Sequence, residues 1–317
     1  MKFSVIPNLL FLWLLNCKFT KCSKRPIIGI LVQEFTPHDE FIDDKNETAG
    51  FVSASYVKAV ECSGAKVVPI FIRQNHSYYE RIMNSINGIV LPGGNASVTP
   101  GFPYYDASAT IFKIAQQMND KGISFPIFGV CLGFQAMLNI HNNNTDLLMQ
   151  CDSIHETNNL EFVPDHTTTH LFSRFDREAL LNLELLSITL NNHVFCIFPH
   201  NFTTSNLAKE WRMTSLSTTG KGLKFIASAE HVKYPFIGVQ FHPEIAPFNE
   251  EFEILHDREA VRVNRYFYDA LVEMSTNNDN KFQNEEEERK HLIYNYNPIY
   301  RRAKPDQYYA QKYIFYN

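Results

Sequence analysis

The chain has 317 residues, 44% of them hydrophobic, 20% charged and 14% aromatic, and a formal net charge of −5. This is globular composition with enough apolar material for one substantial core. There is no basic stripe and no zinc-finger spacing, which argues against a nucleic-acid partner.

The chain opens on Lys2, an apolar run over Leu9–Leu15 and a polar stretch with small residues around Cys22 and Ser23. That layout predicts a secretory signal peptide over residues 1–22, too short to span a bilayer. No later segment reaches 18 uninterrupted apolar residues, so no membrane association is expected. Five glycosylation sequons, at Asn46, Asn75, Asn95, Asn143 and Asn201, fit the same route. Beyond the signal the cysteines are Cys62, Cys131, Cys151 and Cys196. Their wide spacing resembles neither a disulfide framework nor a zinc site.

Pro26–Gln33 is a continuous apolar run, as expected of a buried parallel strand. A helical face follows over 51–63, with Gly64 placed as a C-cap glycine. Further strands are predicted at 66–72, 88–91 and 125–130, and helices at 78–86, 106–119 and 132–140. Strand and helix thus alternate, which predicts an α/β fold: a three-layer αβα sandwich with a mainly parallel central sheet. The second half is less regular, with strands expected at 185–190, 193–198, 224–229 and 236–241 and a helix over 257–274. Glu285–Glu288 reads as a solvated helix face. No repeat or linker divides residues 23–317, which are read as one domain.

Three strand ends carry chemistry. Gly129-Val130-Cys131-Leu132-Gly133 lies between a strand and a helix, the setting of a nucleophile elbow. Glycines on either side let neighbouring backbone approach a strained turn, and the helix N-terminus favours a thiolate and an oxyanion. His242, at the end of the last good strand, is placed as general acid/base, with Glu244 two residues on to orient it. Pro92-Gly93-Gly94 closes a third strand, and amides of Gly94 and Leu132 would form an oxyanion hole. Parallel strands bring all three turns to one sheet edge. His166 and His170 are read as surface histidines with no carboxylate or cysteine to complete a metal site.

This pattern resembles the class I glutamine amidotransferase-like superfamily and, within it, the γ-glutamyl hydrolases. The likeness extends to Pro26–Leu31, Ala54–Lys58, Ser85–Ile89, Lys233–Pro235, His242–Pro247, Leu292–Tyr294 and Pro298–Tyr300. It implies a cysteine hydrolase that cleaves folylpoly-γ-glutamates in lysosomes or after secretion, as a homodimer, with no metal or organic cofactor. In it Cys131, His242 and Glu244 match the catalytic positions, and Tyr56 and His193 match residues near the substrate. Gln135 stands where the family more often has Glu. Two other readings are open: a glutaminase or other γ-glutamyl amide hydrolase, and a non-catalytic secreted binding protein of this fold.

Overall fold

The computed structural model describes residues 25–36, 50–143, 147–248, 256–302 and 309–316. The expected signal peptide and the Asn46 sequon lie outside them. The first half runs β1 (Ile27–Leu31), β2 (Gln33–Glu34), β3 (Gly50–Ser53), α1 (Ala54–Cys62), β4 (Lys66–Ile70), α2 (His76–Met83), β5 (Gly88–Leu91), α3 (Pro103–Asp120), β6 (Ile127–Val130) and α4 (Leu132–His141). The second half runs β7 (Leu148–Asn158), β8 (Glu161–Phe162), α5 (Arg177–Leu185), β9 (Thr189–Ile197), α6 (Pro199–Thr204), β10 (Trp211–Thr218), β11 (Lys224–His231), β12 (Phe236–Val239), α7 (Arg258–Ser275), α8 (Glu285–His291), β13 (Ile299–Arg302) and β14 (Tyr309–Phe315).

The central sheet has the order β4-β1-β5-β6-β12-β11-β10-β8. Its first five strands are parallel; β11, β10 and β8 extend it antiparallel. Alternate residues of the parallel strands feed two cores, as a sheet covered on both faces requires. Ile28, Ile30, Val90, Phe128 and Val130 face α1 and α7, whereas Ile27, Leu31, Ile89, Leu91 and Ile127 face α2, α3 and α4. Helix α7 presents Val263, Phe267, Ala270, Leu271 and Met274 to the sheet, and Asp257 caps its first turn through the amides of Glu259 and Ala260. Gly64 takes φ +97°, the left-handed cap conformation expected of it.

The second half departs from the sequence reading. The predicted strands at 185–190 and 193–198 are one strand, β9, and Leu185 ends helix α5. Asp176 caps that helix at the Ala179 amide, a local signal that outweighs the apolar run. Strand β7 has no apolar alternation and is held by antiparallel pairing to β9. Strand β10 buries hydroxyls, Thr214 and Ser215, which bond Ser228 of β11 at 2.6 and 2.5 Å. Residues 51–53, expected to open a helix, belong instead to β3, which pairs with β2 and β14. The acidic run lies on α8; Glu285 and Glu286 face solvent, while Glu288 pairs with Lys66.

The cysteines also differ from expectation. Cys151 of β7 and Cys196 of β9 form a disulfide, their Cα atoms 6.0 Å apart; Cys62 and Cys131 are free. Wide sequence spacing gave no hint of this because antiparallel pairing, not proximity along the chain, brings the two together. The crosslink closes a separation of 45 residues. A loop of this size stabilises a fold by about 2–4 kcal/mol. Urea unfolding of a Cys151→Ser variant should therefore show a loss of that order relative to the oxidised wild type.

Candidate active site

The parallel strands end at one edge of the sheet, and three of those ends converge. Strand β5 leads into Pro92-Gly93-Gly94, β6 into Cys131, and β12 into Gln240 and His242. Cys131 has φ +49° and ψ −108°, a strained conformation for a residue with a side chain. It is pinned there because its amide donates to Val239 O at 2.8 Å and its carbonyl accepts from Gln135 N at 3.0 Å. A Cβ on Gly133 would overlap the Leu91 carbonyl, and one on Gly129 would meet the Gly133 backbone at 2.9 Å. Both flanking glycines are therefore demanded by backbone packed on backbone.

His242 Nδ1 lies 2.8 Å from Glu244 Oε1, and both residues are buried. The ring and Cys131 line the same small cavity, on either side of Gly93. Burial alone would push the imidazole down. The charges of Glu244 and Cys131 outweigh it, so the pKa stands well above the ordinary 6.5. The Tyr268 hydroxyl lies against Glu244 from α7, and burial and that carboxylate raise it well above its usual range. Gly93 sits between the partners: a Cβ there would fall 2.7 Å from His242 Cε1 and 3.0 Å from Cys131 Cβ.

The remaining expected residues divide. Gly94 and Leu132 flank Cys131 in a cavity of about 500 Å³, and neither amide donates to another described residue. Their free amides beside the thiol can receive a developing oxyanion. Tyr56 is buried, and its hydroxyl accepts the Gly93 amide at 2.7 Å. Gln135 donates from Nε2 to Phe195 O at 2.8 Å and to Gln240 Oε1 at 3.1 Å. An ionised glutamate could make neither bond, and a protonated one at most one of them, so the amide is explained by its neighbours. Gln240 in turn donates to Cys131 Sγ at 3.7 Å. Sequence reasoning missed Gln240, although a polar residue between Val239 and Phe241 in an apolar strand was a signal.

His193 projects from β9 into the larger cavity, with Nε2 3.2 Å from Asn191 Oδ1 and Nδ1 3.5 Å from Cys151 Sγ. Burial and then the nearby His242 push its pKa down to about 3. Two histidines in one site are thus held in opposite protonation states. Among the sequons, Asn75 and Asn143 are exposed and Asn201 is half-buried on α6. Asn95 lines both the large cavity and a neighbouring one of about 170 Å³, where a glycan would stand over Cys131.

Among the described residues one trio could offer three metal-ligating atoms: His141, Glu210 and His231. It lies at the opposite sheet edge, because antiparallel β11 places His231 beside the start of β12. His231 Nδ1 accepts the amides of Lys233 and Tyr234, so its proton sits on Nε2, toward Glu210, and that nitrogen is not a ligand. The ring of His166 stacks on Phe162 at 4.2 Å.

A strained cysteine at a strand–helix turn, beside a histidine fixed by a buried carboxylate and two free amides, has the layout of a thiol hydrolase. The chain belongs to the Peptidase C26 family, whose model matches residues 26–244, a span that holds Cys131, His242 and Glu244. It is 35% identical to the γ-glutamyl hydrolase of Rattus norvegicus over 90% of this chain and 89% of that one. To the Homo sapiens γ-glutamyl hydrolase it is 34% identical over 88% and 86%. To γ-glutamyl hydrolase B of Dictyostelium discoideum it is 30% identical over 92% and 84%. The solved structure of a glutamine amidotransferase from Methylobacillus flagellatus aligns with 11% identity and a TM-score of 0.46, over 81% of this chain and 96% of that one.

His193 gives a pH test. An unfolded imidazole takes up a proton near pH 6.5, whereas the folded one does so only near 3. Below 6.5, protons therefore favour the unfolded chain, by about 2 kcal/mol at pH 5. Urea unfolding at pH 7 and pH 5 should show that loss in the wild type and not in His193→Gln.

Proposed function

We propose that this chain hydrolyses γ-glutamyl bonds of folylpoly-γ-glutamates through a γ-glutamyl thioester on Cys131. The observation that carries this reading is the left-handed Cys131 beside a His242 imidazole bonded to buried Glu244. The thiolate attacks the γ-carbonyl, and the oxyanion is received by the amides of Gly94 and Leu132. His242, protonated beside the thiolate, gives its proton to the departing amine nitrogen as the C–N bond breaks. The neutral imidazole then takes a proton from water, which attacks the thioester; the C–S bond breaks, the carboxylic product leaves, and the thiolate is restored beside the protonated ring. Glu244 holds the ring in one orientation and stabilises its charged form.

The alternative, a glutaminase, drew on Gln135. Both hydrogen-bond partners of that amide nitrogen belong to the protein, so it lends no weight to a different substrate. The retained Cys131, His242 and Glu244 speak against a non-catalytic binding protein. The signal-like N-terminus and the sequons support passage through the secretory pathway to the lysosome or the exterior. We further propose one hydrolase domain over residues 23–317 and, by resemblance alone, a homodimer.

Glutamate release from a pteroylpoly-γ-glutamate should occur with the wild type and vanish in Cys131→Ala. Cleavage of free glutamine alone, with the polyglutamate untouched, would overturn the substrate assignment. Glu244→Gln should lower kcat by about 10²-fold, as expected when an acid/base loses its orienting charge. Without that charge the His242 pKa falls, so the alkaline limb of the pH–rate profile should move to lower pH.

A further inference from the structure

The turn after β5 is held peptide by peptide. Every peptide bond in the described chain is trans, so the C=O and N–H of one peptide point in opposite directions. In the Pro92–Gly93 peptide, the carbonyl accepts the Tyr104 hydroxyl at 2.7 Å and the N–H donates to Tyr56 Oη at 2.7 Å. In the Gly93–Gly94 peptide, the carbonyl accepts Gln33 Nε2 at 2.5 Å. The N–H at the other end donates to no described residue, and Gly94 lines both cavities at Cys131. Two consecutive peptides are thus gripped alike, except that the last acceptor is missing.

The grip comes from elsewhere in the chain. Gln33 lies on short strand β2 and is almost fully buried, with Nε2 also 3.4 Å from Pro92 O. Its Oε1 lies over Gly94 so closely that a Cβ there would overlap it. The next residue, Glu34, accepts the Tyr104 amide at 3.1 Å and so ties the start of α3 to the same strand.

We propose that Gln33 and Tyr104 are positioning residues for the oxyanion hole, and that the missing acceptor is the oxyanion of the tetrahedral intermediate. Gln33 fixes the plane of the Gly93–Gly94 peptide and so the direction of the Gly94 N–H. A hydrogen bond at the carbonyl also polarises the amide at its other end, making it the stronger donor. Tyr104 and Tyr56 lock the preceding peptide, so the turn cannot rotate as charge develops. The inference rests on the proposed thioester mechanism at Cys131.

The test compares Gln33→Met and Tyr104→Phe with the wild type on a pteroylpoly-γ-glutamate, with Cys131→Ala as control. Deleting an oxyanion donor outright costs about 10²–10³ in kcat; loosening one through Gln33→Met should cost about 30-fold, and Tyr104→Phe about fivefold. KM should stay within about twofold, because the bond to the oxyanion forms only in the transition state. Alkylation of Cys131 by iodoacetamide should keep the wild-type rate, because that reaction builds no oxyanion. Tyr104→Phe removes one oxygen from a buried ring, so it carries the test if Gln33→Met does not fold. An unchanged kcat would overturn the proposal, as would a parallel fall in kcat and alkylation rate, which would place the effect on the thiol. Activity retained in Cys131→Ala would instead overturn the thioester reading itself.

Discussion

The site depends on one close approach. The first turn of α4 meets the end of β5 with no side chain between them, Gly133 lying against the Leu91 carbonyl. That contact sets the helix N-terminus beside the Pro92–Gly94 turn and leaves Cys131 to bridge strand and helix at φ +49°. The Cys131 amide then reaches Val239 O on β12, whose continuation supplies Gln240 and His242. A residue with a Cβ at 133 would push helix from strand and separate the groups that must meet. The strain at Cys131, of the order of 1–3 kcal/mol for such a conformation, persists because packing on both sides leaves no relaxed alternative.

Electrostatics build on that frame. A buried carboxylate is tolerated only with a partner, and Glu244 has His242. The pair in turn sets its neighbours. Burial and the field of Glu244 keep Tyr268 protonated, and burial with the field of His242 keeps His193 neutral. One buried ion pair thus leaves a single charged imidazole near the thiol and neutral polar groups along the cavity.

The first half was legible because its signals are local. The apolar runs of β1, β4, β5 and β6, the cap at Gly64 and the glycines around Cys131 each reflect a nearby physical demand. The second half was less so. Strand β7 is held by its backbone pairing to β9, and β10 buries hydroxyls that bond Ser228 of β11; such partners are invisible along the chain. The Cys151–Cys196 disulfide and the fusion of two expected strands into β9 were lost for the same reason. Gln135 is a subtler case: its identity reads as a departure from the family until the carbonyl of Phe195 and the amide of Gln240 are seen to require a donor.

The sequence by itself determined the alternation that builds a parallel sheet, and hence that Pro92–Gly94, Cys131 and His242 would emerge at one edge. Parallel strands with short returns allow little else. Only the tertiary structure decided the directions of the groups at that edge. It placed Tyr56 beneath Gly93, brought Gln33 over Gly94, aimed Gln240 at the thiol and set His193 beside the Cys151–Cys196 disulfide on the β7–β9 ribbon. Hydrogen bonds between residues far apart in sequence depend on a few tenths of an ångström and on angle, and those are set by the packing of the whole fold.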